Sequence, residues 1–319
     1  MTAFSLPVRR VLERGVFCHV AASTSAGPHV TPMVFALAGD RIWVTTSRRS
    51  VKAASWRRDD RVAGVVSDGA EAVTFAGRAA WHDLLDPTSW VRSAIEGPLV
   101  ALASARFTRK NARFFAGYAV DANRIPFAWT PPGRVFVELR LERWALLERG
   151  RVRDTWGEWP DARPSVTVFR PNKGVDLVAS LPDDVRAALG ARGHGVLAVA
   201  GSAGPATLPM SWTIDPSGLV ASAAEDALAL AGATTATPPV ALAIDRASSW
   251  RARHMIGAMA RGTAEIASVA QLTTGVTAAR SAVRAAAGDD EIDDAVAIRI
   301  RPGRVVWWRG WESGTVEVA

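Results

Sequence analysis

The sequence predicts a mainly β fold with peripheral helices, arranged as two small antiparallel barrels in tandem. A chain of 319 residues is long enough for two domains that each bury a core. The first half carries short β-rich runs separated by turn signals, and a later stretch repeats its pattern. These features together favour two barrel domains.

The repeat is clearest where each unit begins. Residues 6–33 read LPVRRVLERGVFCHVAASTSAGPHVTPM, and residues 181–210 read LPDDVRAALGARGHGVLAVAGSAGPATLPM. Each predicts a Leu-Pro helix ending near Gly15 or Gly193, an apolar strand, an Ala-Gly-Pro turn and a second strand. The units also end alike, because VFVELRLERWALLERG at 135–150 resembles VAIRIRPGRVVWWRG at 296–310 and each predicts a terminal hairpin.

These matches divide the chain into domain one at 1–150, a connector at 151–177 rich in Pro, Trp and charge, and domain two at 178–319. Within domain one, five runs predict strands, at 16–22, 30–37, 41–46, 62–67 and 72–81. A helical insertion is expected at about 88–117, before a closing strand near Val135.

Composition excludes several classes of protein. The chain has no apolar run of about 18 residues, so no membrane span is predicted. The first residues lack the continuous apolar segment of a secretory signal, and the single Cys18 rules out an internal disulfide framework, so we expect a cytoplasmic location. The net charge of +7 comes from dispersed arginines interleaved with acids, which argues against nucleic-acid binding.

An anion site is predicted where the strand at 41–46 runs into Ser50. A helix that begins after Ser50 would use this hydroxyl as its N-cap. Its free amides, with Ser47, Arg48 and Lys52, could bind a phosphate. An N-capped surface helix with a solvated basic face would give the same pattern, and from this stretch alone that alternative is favoured.

The order of motifs over about residues 6–82 resembles the pyridoxamine phosphate oxidase-like flavin-binding split barrels. The matching segments are Pro-Met-Val-Phe at 32–35, a Gly-Asp turn, Ile-Trp-Val-Thr-Thr-Ser at 42–47, Ser-x-Lys at 50–52, Arg-Arg-Asp-Asp-Arg-Val at 57–62 and VTFAGRA at 73–79. With this resemblance, a phosphate site at Ser50 is favoured over an N-capped surface helix. It implies a split barrel that binds a flavin-type cofactor.

Carried over residue by residue, the resemblance implies two groups of cofactor contacts. The ribityl chain and phosphate would lie near Thr45, Thr46, Ser47, Ser50 and Lys52. The ring edge would lie along Pro32, Met33 and Val34, while Arg48 and Arg57 are further candidates. The chain lacks the arginine that oxidase members carry on the strand at 32–35, which argues against a true pyridoxamine phosphate oxidase activity. No catalytic residue is assigned.

The resemblance leaves the cofactor open between FMN, which is expected first, and the deazaflavin coenzyme F-420, whose longer anionic tail could use Arg48, Arg49, Arg57 and Arg58. Haem is a third choice because haem-degrading enzymes also use split barrels, with His194 or His254 as the axial candidates. No pair of histidines has metal-ligand spacing, and no metal site is predicted. The expected reaction is hydride transfer with a small organic substrate, and the alternative is a non-catalytic flavin- or haem-binding scaffold.

Domain two departs from this pattern, because Glu225 and Asp226 stand where domain one has its basic groups. Carboxylates repel a phosphate, so one cofactor site is expected. Family members usually form two-fold dimers with the cofactor between subunits, and a tandem duplication could imitate that dimer within one chain. The second domain would then supply a wall of the site, with Trp212, Trp250, Arg251 and Met255 as candidates. A monomer or a homodimer is compatible with this arrangement.

Overall fold

The structure is a computed structural model. It describes residues 4–83, 85–121, 133–160, 181–215, 218–233, 235, 237–246, 251–268 and 295–318. No helix within these ranges is both long and apolar enough to cross a membrane. The two β-sheets that they contain have seven strands each.

The first sheet closes into a barrel. Its strands are β1 (Phe17–Thr24), β2 (Gly27–Ala38), β3 (Arg41–Ser47), β4 (Arg61–Asp68), β5 (Glu71–His82), β6 (Arg134–Glu148) and β7 (Arg151–Trp156). They are ordered β3-β2-β1-β4-β5-β6-β7, and β3 also pairs with β6, so six strands form a closed ring. All five strands predicted in domain one are present. Tight turns join β1 to β2, β2 to β3 and β4 to β5, and Gly39 and Gly69 adopt the positive φ angles that two of these turns need.

Helices close and cover this barrel. Helix α1 (Leu6–Arg14) buries Val8, Val11 and Leu12 in the barrel core, and it ends where Gly15 N donates to Val11 O at 2.9 Å. Helix α2 (Val51–Arg58) follows β3. The predicted insertion consists of a short 3-10 turn (Pro87–Ser89) and helices α3 (Trp90–Ile95), α4 (Gly97–Lys110) and α5 (Ala112–Val120). Trp43 on the outer face of β3 packs against Ala103 of α4, which anchors the insertion.

The second sheet has the same strand order as the first. Its strands are β8 (Arg192–Gly201), β9 (Gly204–Asp215), β10 (Gly218–Ala224), β11 (Pro239–Arg246), β12 (Ile256–Ser268), β13 (Ala295–Arg309) and β14 (Glu312–Glu317). The order is β10-β9-β8-β11-β12-β13-β14, with β10 also paired to β13. Helices α6 (Asp183–Leu189) and α7 (Glu225–Ala229) correspond to α1 and α2. The predicted fold of two tandem split barrels with peripheral helices is confirmed.

Two details differ from the sequence prediction. The helix after Leu181-Pro182 ends at Leu189, not near Gly193, because Gly190 takes a φ of 74° and β8 begins two residues later. Each barrel does end in a hairpin, but one long strand fills the predicted segment and the return strand lies beyond it, as β7 or β14. Residues 151–156 of the predicted connector are therefore β7, whereas 161–177 lie outside the described residues.

The two barrels pack through reciprocal contacts. Strand β4 packs on β9 while β11 packs on β2, and β5 packs on β9 while β12 packs on β2. Thr74 Oγ1 donates to Thr207 O, and at the equivalent place in the other barrel Val30 N donates to Met259 Sδ at 3.3 Å. This is the pattern of an isologous, two-fold interface, formed here within one chain as the pseudo-dimer prediction required.

Candidate functional site

The candidate site begins at the junction of β3 and α2. Ser50 caps α2, because its Oγ accepts a hydrogen bond from Ala53 N at 3.1 Å. The same hydroxyl lies 2.9 Å from Thr46 Oγ1, the last buried side chain of β3. The predicted N-cap is therefore present, and it joins two of the predicted phosphate ligands.

Lys52 is the most unusual residue of this junction. Its side chain is only 6% exposed, and its Nζ donates to Thr31 Oγ1 on β2. No carboxylate pairs with Lys52 within the part of the chain that the structure describes. Burial, together with the positive charge of Arg134, lowers the pKa of Lys52 to about 7. A buried ammonium without a carboxylate partner is the group that an anionic ligand would stabilise.

Arg134 was missed by the sequence prediction. It is the first residue of β6, and the pairing of β6 with β3 sets it opposite Ser47. Its guanidinium donates to Thr45 O at 2.7 Å and to Thr45 Oγ1 at 2.8 Å. Arg134 is half-buried, and burial lowers the pKa of its guanidinium. We refer to Thr31, Thr45, Thr46, Ser50, Lys52 and Arg134 as the cationic cluster.

The other two candidate arginines point elsewhere. Arg48 pairs with the buried Asp83, which follows β5, and also donates to Arg134 O at 3.4 Å. Arg57 donates to Arg48 O at 3.3 Å, and its guanidinium lies 5.2 Å from the centre of the Trp81 ring. Both guanidiniums therefore have partners within the protein, and Arg48 contacts the cationic cluster through the backbone carbonyl of Arg134.

The predicted ring-edge residues lie on β2 next to Thr31. Met33 is buried in the core of the first barrel, whereas Pro32 and Val34 are half-buried. Pro32 pairs in register with His19 of β1, and His19 Nε2 lies 2.6 Å from Asp245 Oδ1 on β11. This part of β2 therefore lies close to the boundary between the barrels, as a cofactor shared by two subunits would require.

The second barrel does not repeat the cationic cluster. The matching ladders place Leu208 at the position of Thr31, Ala223 at that of Thr46 and Ala295 at that of Arg134. Helix α7 contains no lysine, and its first residues are Glu225 and Asp226. Asp226 accepts a hydrogen bond from Val152 N at 2.9 Å.

Sequence comparison agrees with this location. The model of a family described as pyridoxamine 5'-phosphate oxidase matches residues 7–104. The segment 7–104 is therefore similar to that family. The match runs from α1 into α4 and so includes β2, β3 and α2, which carry every residue of the cationic cluster except Arg134. No curated protein sequence matches the chain.

Solved structures resemble parts of the chain. A conserved hypothetical protein from Mycobacterium tuberculosis is 20% identical over 46% of this chain and 86% of its own, with a TM-score of 0.33. A pyridoxamine 5'-phosphate oxidase-related, FMN binding protein from Nostoc punctiforme is 18% identical over 44% and 77%, with a TM-score of 0.31. An FAD-binding protein from Mesorhizobium loti is 16% identical over 46% and 95%, with a TM-score of 0.31.

Of the residues predicted to form a wall from the second barrel, Arg251 contacts the first barrel. Trp212 is 1% exposed in the core of its own barrel, where its Nε1 donates to His194 O at 3.2 Å, so it supplies packing and not a wall. Arg251 reaches the insertion, and its Nη2 lies 3.2 Å from Asp121 Oδ1. Met255 is half-buried, and Trp250 lies outside the described residues.

A second charged group lies under α4, away from the cationic cluster. His82, Glu96 and Glu138 place one ligand atom each within 4.8 Å of one another, a combination that the sequence prediction did not foresee. The carboxylates are already paired, since Arg41 Nη1 lies 2.8 Å from Glu138 and Arg140 Nη2 lies 2.6 Å from Glu96. Two guanidiniums at these distances disfavour a metal cation, so we interpret the group as an ion-pair network that anchors α4.

Proposed function

We propose that this chain binds one flavin-type cofactor, FMN or the deazaflavin coenzyme F-420, and acts as an oxidoreductase. The observation that carries the proposal is the buried ammonium of Lys52, which has no carboxylate partner among the described residues and lies beside hydroxyls and Arg134. This chemistry suits a phosphate, which would supply the missing negative charge. The family match over the same segment supports a flavin as the bearer of that phosphate.

In this proposal the residues of the cluster have distinct tasks. Lys52 and Arg134 neutralise the phosphate, while Ser50 and Thr46 offer hydroxyl contacts beside the first amides of α2. The backbone of β2 at 32–34 would contact the ring. The bound cofactor supplies the redox chemistry, which is the exchange of a hydride with a small organic substrate.

The site needs one chain only. The interdomain boundary already has the reciprocal contacts of a two-fold dimer, so a second copy is not required to complete the cofactor's surroundings. We therefore propose a monomer that binds one cofactor. Sedimentation in the presence of saturating cofactor measures both properties, and two cofactors per chain would contradict the loss of the second site.

The first experiment is a titration of the purified protein with FMN, F-420 and haemin, followed by ligand absorbance and tryptophan quenching. One-to-one binding of a flavin-type cofactor is expected in the wild type. It should be weakened at least about 10-fold in the Lys52→Ala, Ser50→Ala double variant. Arg14→Ala is the control, because Arg14 is an exposed cation on a different helix, α1. Haemin binding alone, or unchanged affinity in the folded double variant, would contradict the proposal.

A second experiment separates catalysis from simple binding. A nicotinamide donor is added anaerobically to the loaded protein, and loss of the oxidised cofactor's absorbance is followed with time. An oxidoreductase of this class should be reduced and then reoxidised by an acceptor. A cofactor that binds tightly but is reduced by neither donor nor substrate would identify the chain as a non-catalytic flavin-binding scaffold.

A further inference from the structure

A cleft lies at the C-terminal end of α2, where this helix meets the end of β5 and the start of the insertion. Its volume is about 310 Å³, at the lower end of the range of small-molecule sites in proteins. The residues that line it include two tryptophans, one arginine and three aspartates: Trp56, Trp81, Arg57, Asp60, Asp83 and Asp86. We call it the tryptophan cleft. No member of the cationic cluster lines it, and Ser50 caps the opposite end of α2.

One wall of this cleft already holds a positive charge. The half-buried Trp81 has the guanidinium of Arg57 over its ring, 5.2 Å from the ring centre. The ring of Trp56 packs against that of Trp81, with 6.1 Å between their centres. Arg57 is exposed and also donates to Arg48 O at 3.3 Å, which is long for a hydrogen bond. A side chain held in this way can leave the ring, which then offers its face to a cation from solution.

The carboxylates decide the sign of charge that the cleft attracts. Among the described residues that line it, three side chains are carboxylates and one, Arg57, is a cation. Asp60 pairs with Arg78 at 2.8 Å. Asp83 pairs with Arg48. Neither Arg48 nor Arg78 lines the cleft. An anion entering it would therefore meet like charges, whereas a cation would be attracted.

The indole of Trp56 adds a second requirement for a ligand. Trp56 forms part of the cleft wall, yet only 2% of the residue is exposed. Its Nε1 is buried and has no hydrogen-bond acceptor among the described residues. A buried donor without an acceptor costs free energy, so a ligand that brings an oxygen to this N–H is favoured. The cleft therefore suits an organic ammonium ion that also carries a hydroxyl or carbonyl oxygen.

We propose that the tryptophan cleft binds an organic ammonium ion with a hydrogen-bond acceptor, and that this ligand replaces the guanidinium of Arg57 on the ring of Trp81. The charged end lies against Trp81 in the field of the carboxylates, and the acceptor meets the N–H of Trp56. Arg57 is an internal competitor for the ring. The site does not depend on a bound cofactor, because it uses no residue of the cationic cluster.

Choline is the probe, because it combines a quaternary ammonium with a hydroxyl, and titration calorimetry measures its binding. Saturable one-to-one binding to the wild type is expected, with a Kd below about 10 mM. Dimethylbutanol, in which carbon replaces the charged nitrogen, should bind at least about 10-fold more weakly. Tetramethylammonium, which lacks the hydroxyl, should bind about 3-fold more weakly than choline. Absence of saturable choline binding, or equal affinity for either of the other compounds, would overturn the proposal.

The decisive variant is Arg57→Ala, which removes an exposed side chain. It should tighten choline binding about 3-fold or more, because the ring of Trp81 loses its internal competitor. An anion site would respond in the opposite way, since it would lose a cation. Arg113→Ala is the control, because it removes an exposed cation from α5 and should leave the affinity for choline unchanged. Unchanged or weaker choline binding by Arg57→Ala would overturn the proposal.

Two further variants test the attractive groups of the cleft. Trp81→Leu should weaken choline binding at least about 10-fold, because it removes the aromatic face. Asp86→Asn should weaken it about 3-fold, because it removes a negative charge and keeps the shape of the side chain. Trp81 also packs on the barrel core, so Arg57→Ala and Asp86→Asn decide the matter when Trp81→Leu does not fold. Wild-type affinity in a folded Trp81→Leu variant, or in Asp86→Asn, would contradict the site.

Discussion

The ammonium of Lys52 contacts the hydroxyl of Thr31, which joins the first turn of α2 to the middle of β2. The contact buries a positive charge at the end of the barrel, and within the described ranges this charge has a neutral acceptor and no carboxylate. Such an arrangement costs free energy in the protein alone, and an anion bound there would recover part of that cost.

The pH dependence of stability should report this cost. The pKa of Lys52 is lowered from 10.5 to about 7, so between these values the unfolded chain binds more protons than the folded one. Stability contributed by Lys52 should therefore rise with pH, by up to about 2 kcal/mol between about pH 7 and pH 9. Urea unfolding of wild type and Lys52→Met at both pH values measures the difference. An equal response of the two proteins to pH would refute the assignment.

Arg134→Ala should weaken binding of the phosphate-bearing cofactor by about 10-fold to 100-fold, because it removes a poorly solvated cation beside Lys52. Affinity for riboflavin, which has no phosphate, should change little. Arg57→Ala is the control within the basic segment, since the guanidinium of Arg57 lies over the ring of Trp81. A larger loss of affinity with Arg57→Ala than with Arg134→Ala would reverse the roles given to the two residues.

The ion-pair network under α4 should make the protein sensitive to acid. Burial raises the pKa of Glu138, but hydrogen bonds from His82 and Arg140 outweigh it and hold the value at about 2. A carboxylate with a depressed pKa stabilises the fold at pH values above its ordinary pKa, which is 4.5 for Glu138. This contribution is lost as the pH falls toward 2. Glu138→Gln should show a shallower acid transition by circular dichroism. It should also be less stable at neutral pH, by about 2 to 4 kcal/mol, because Arg41 and Arg140 lose one of the two carboxylates that they share.

The link between His19 and Asp245 should hold the two barrels together. Asp245 is buried at the interface, and its oxygen lies 2.6 Å from His19 Nε2. Asp245→Ala should destabilise the protein by about 1 to 3 kcal/mol, because the histidine loses its partner in a poorly solvated place. Glu13→Ala, which breaks an exposed pair with Arg9, is the control and should change the melting temperature little. Equal effects of the two variants would argue against a structural role for the interdomain link.

Local patterns predicted the parts of the site that are close in sequence. The hydroxyl of Ser50 lies three residues before the amide that it caps, so the motif alone indicates where α2 begins. Short runs of β-branched and apolar residues likewise located the five strands of the first barrel. The repeat of Leu-Pro and Pro-Met segments indicated that this architecture occurs twice.

Residues brought together by distant pairing could not be found in this way. Arg134 reaches Thr45 because β6 pairs with β3 across the whole insertion, and no local motif marks it. Arg48 looked like a phosphate ligand until folding brought the buried Asp83 beside it. Trp212 has an aromatic side chain that would suit a ligand wall. The alternation of side chains along β9, however, directs it into the core of its own barrel.

Fusion of the two barrels removes a constraint that symmetric dimers obey. In a homodimer one substitution alters two equivalent contacts at once, and both copies must accept it. In this chain Thr74 contacts Thr207 at one half of the interface. At the equivalent point of the other half, the contact is between Met259 and Val30. A hydroxyl serves one contact and a thioether the other, so each half of the interface can change alone. One barrel is thereby free to specialise in its ligand while the other is retained as a permanent partner.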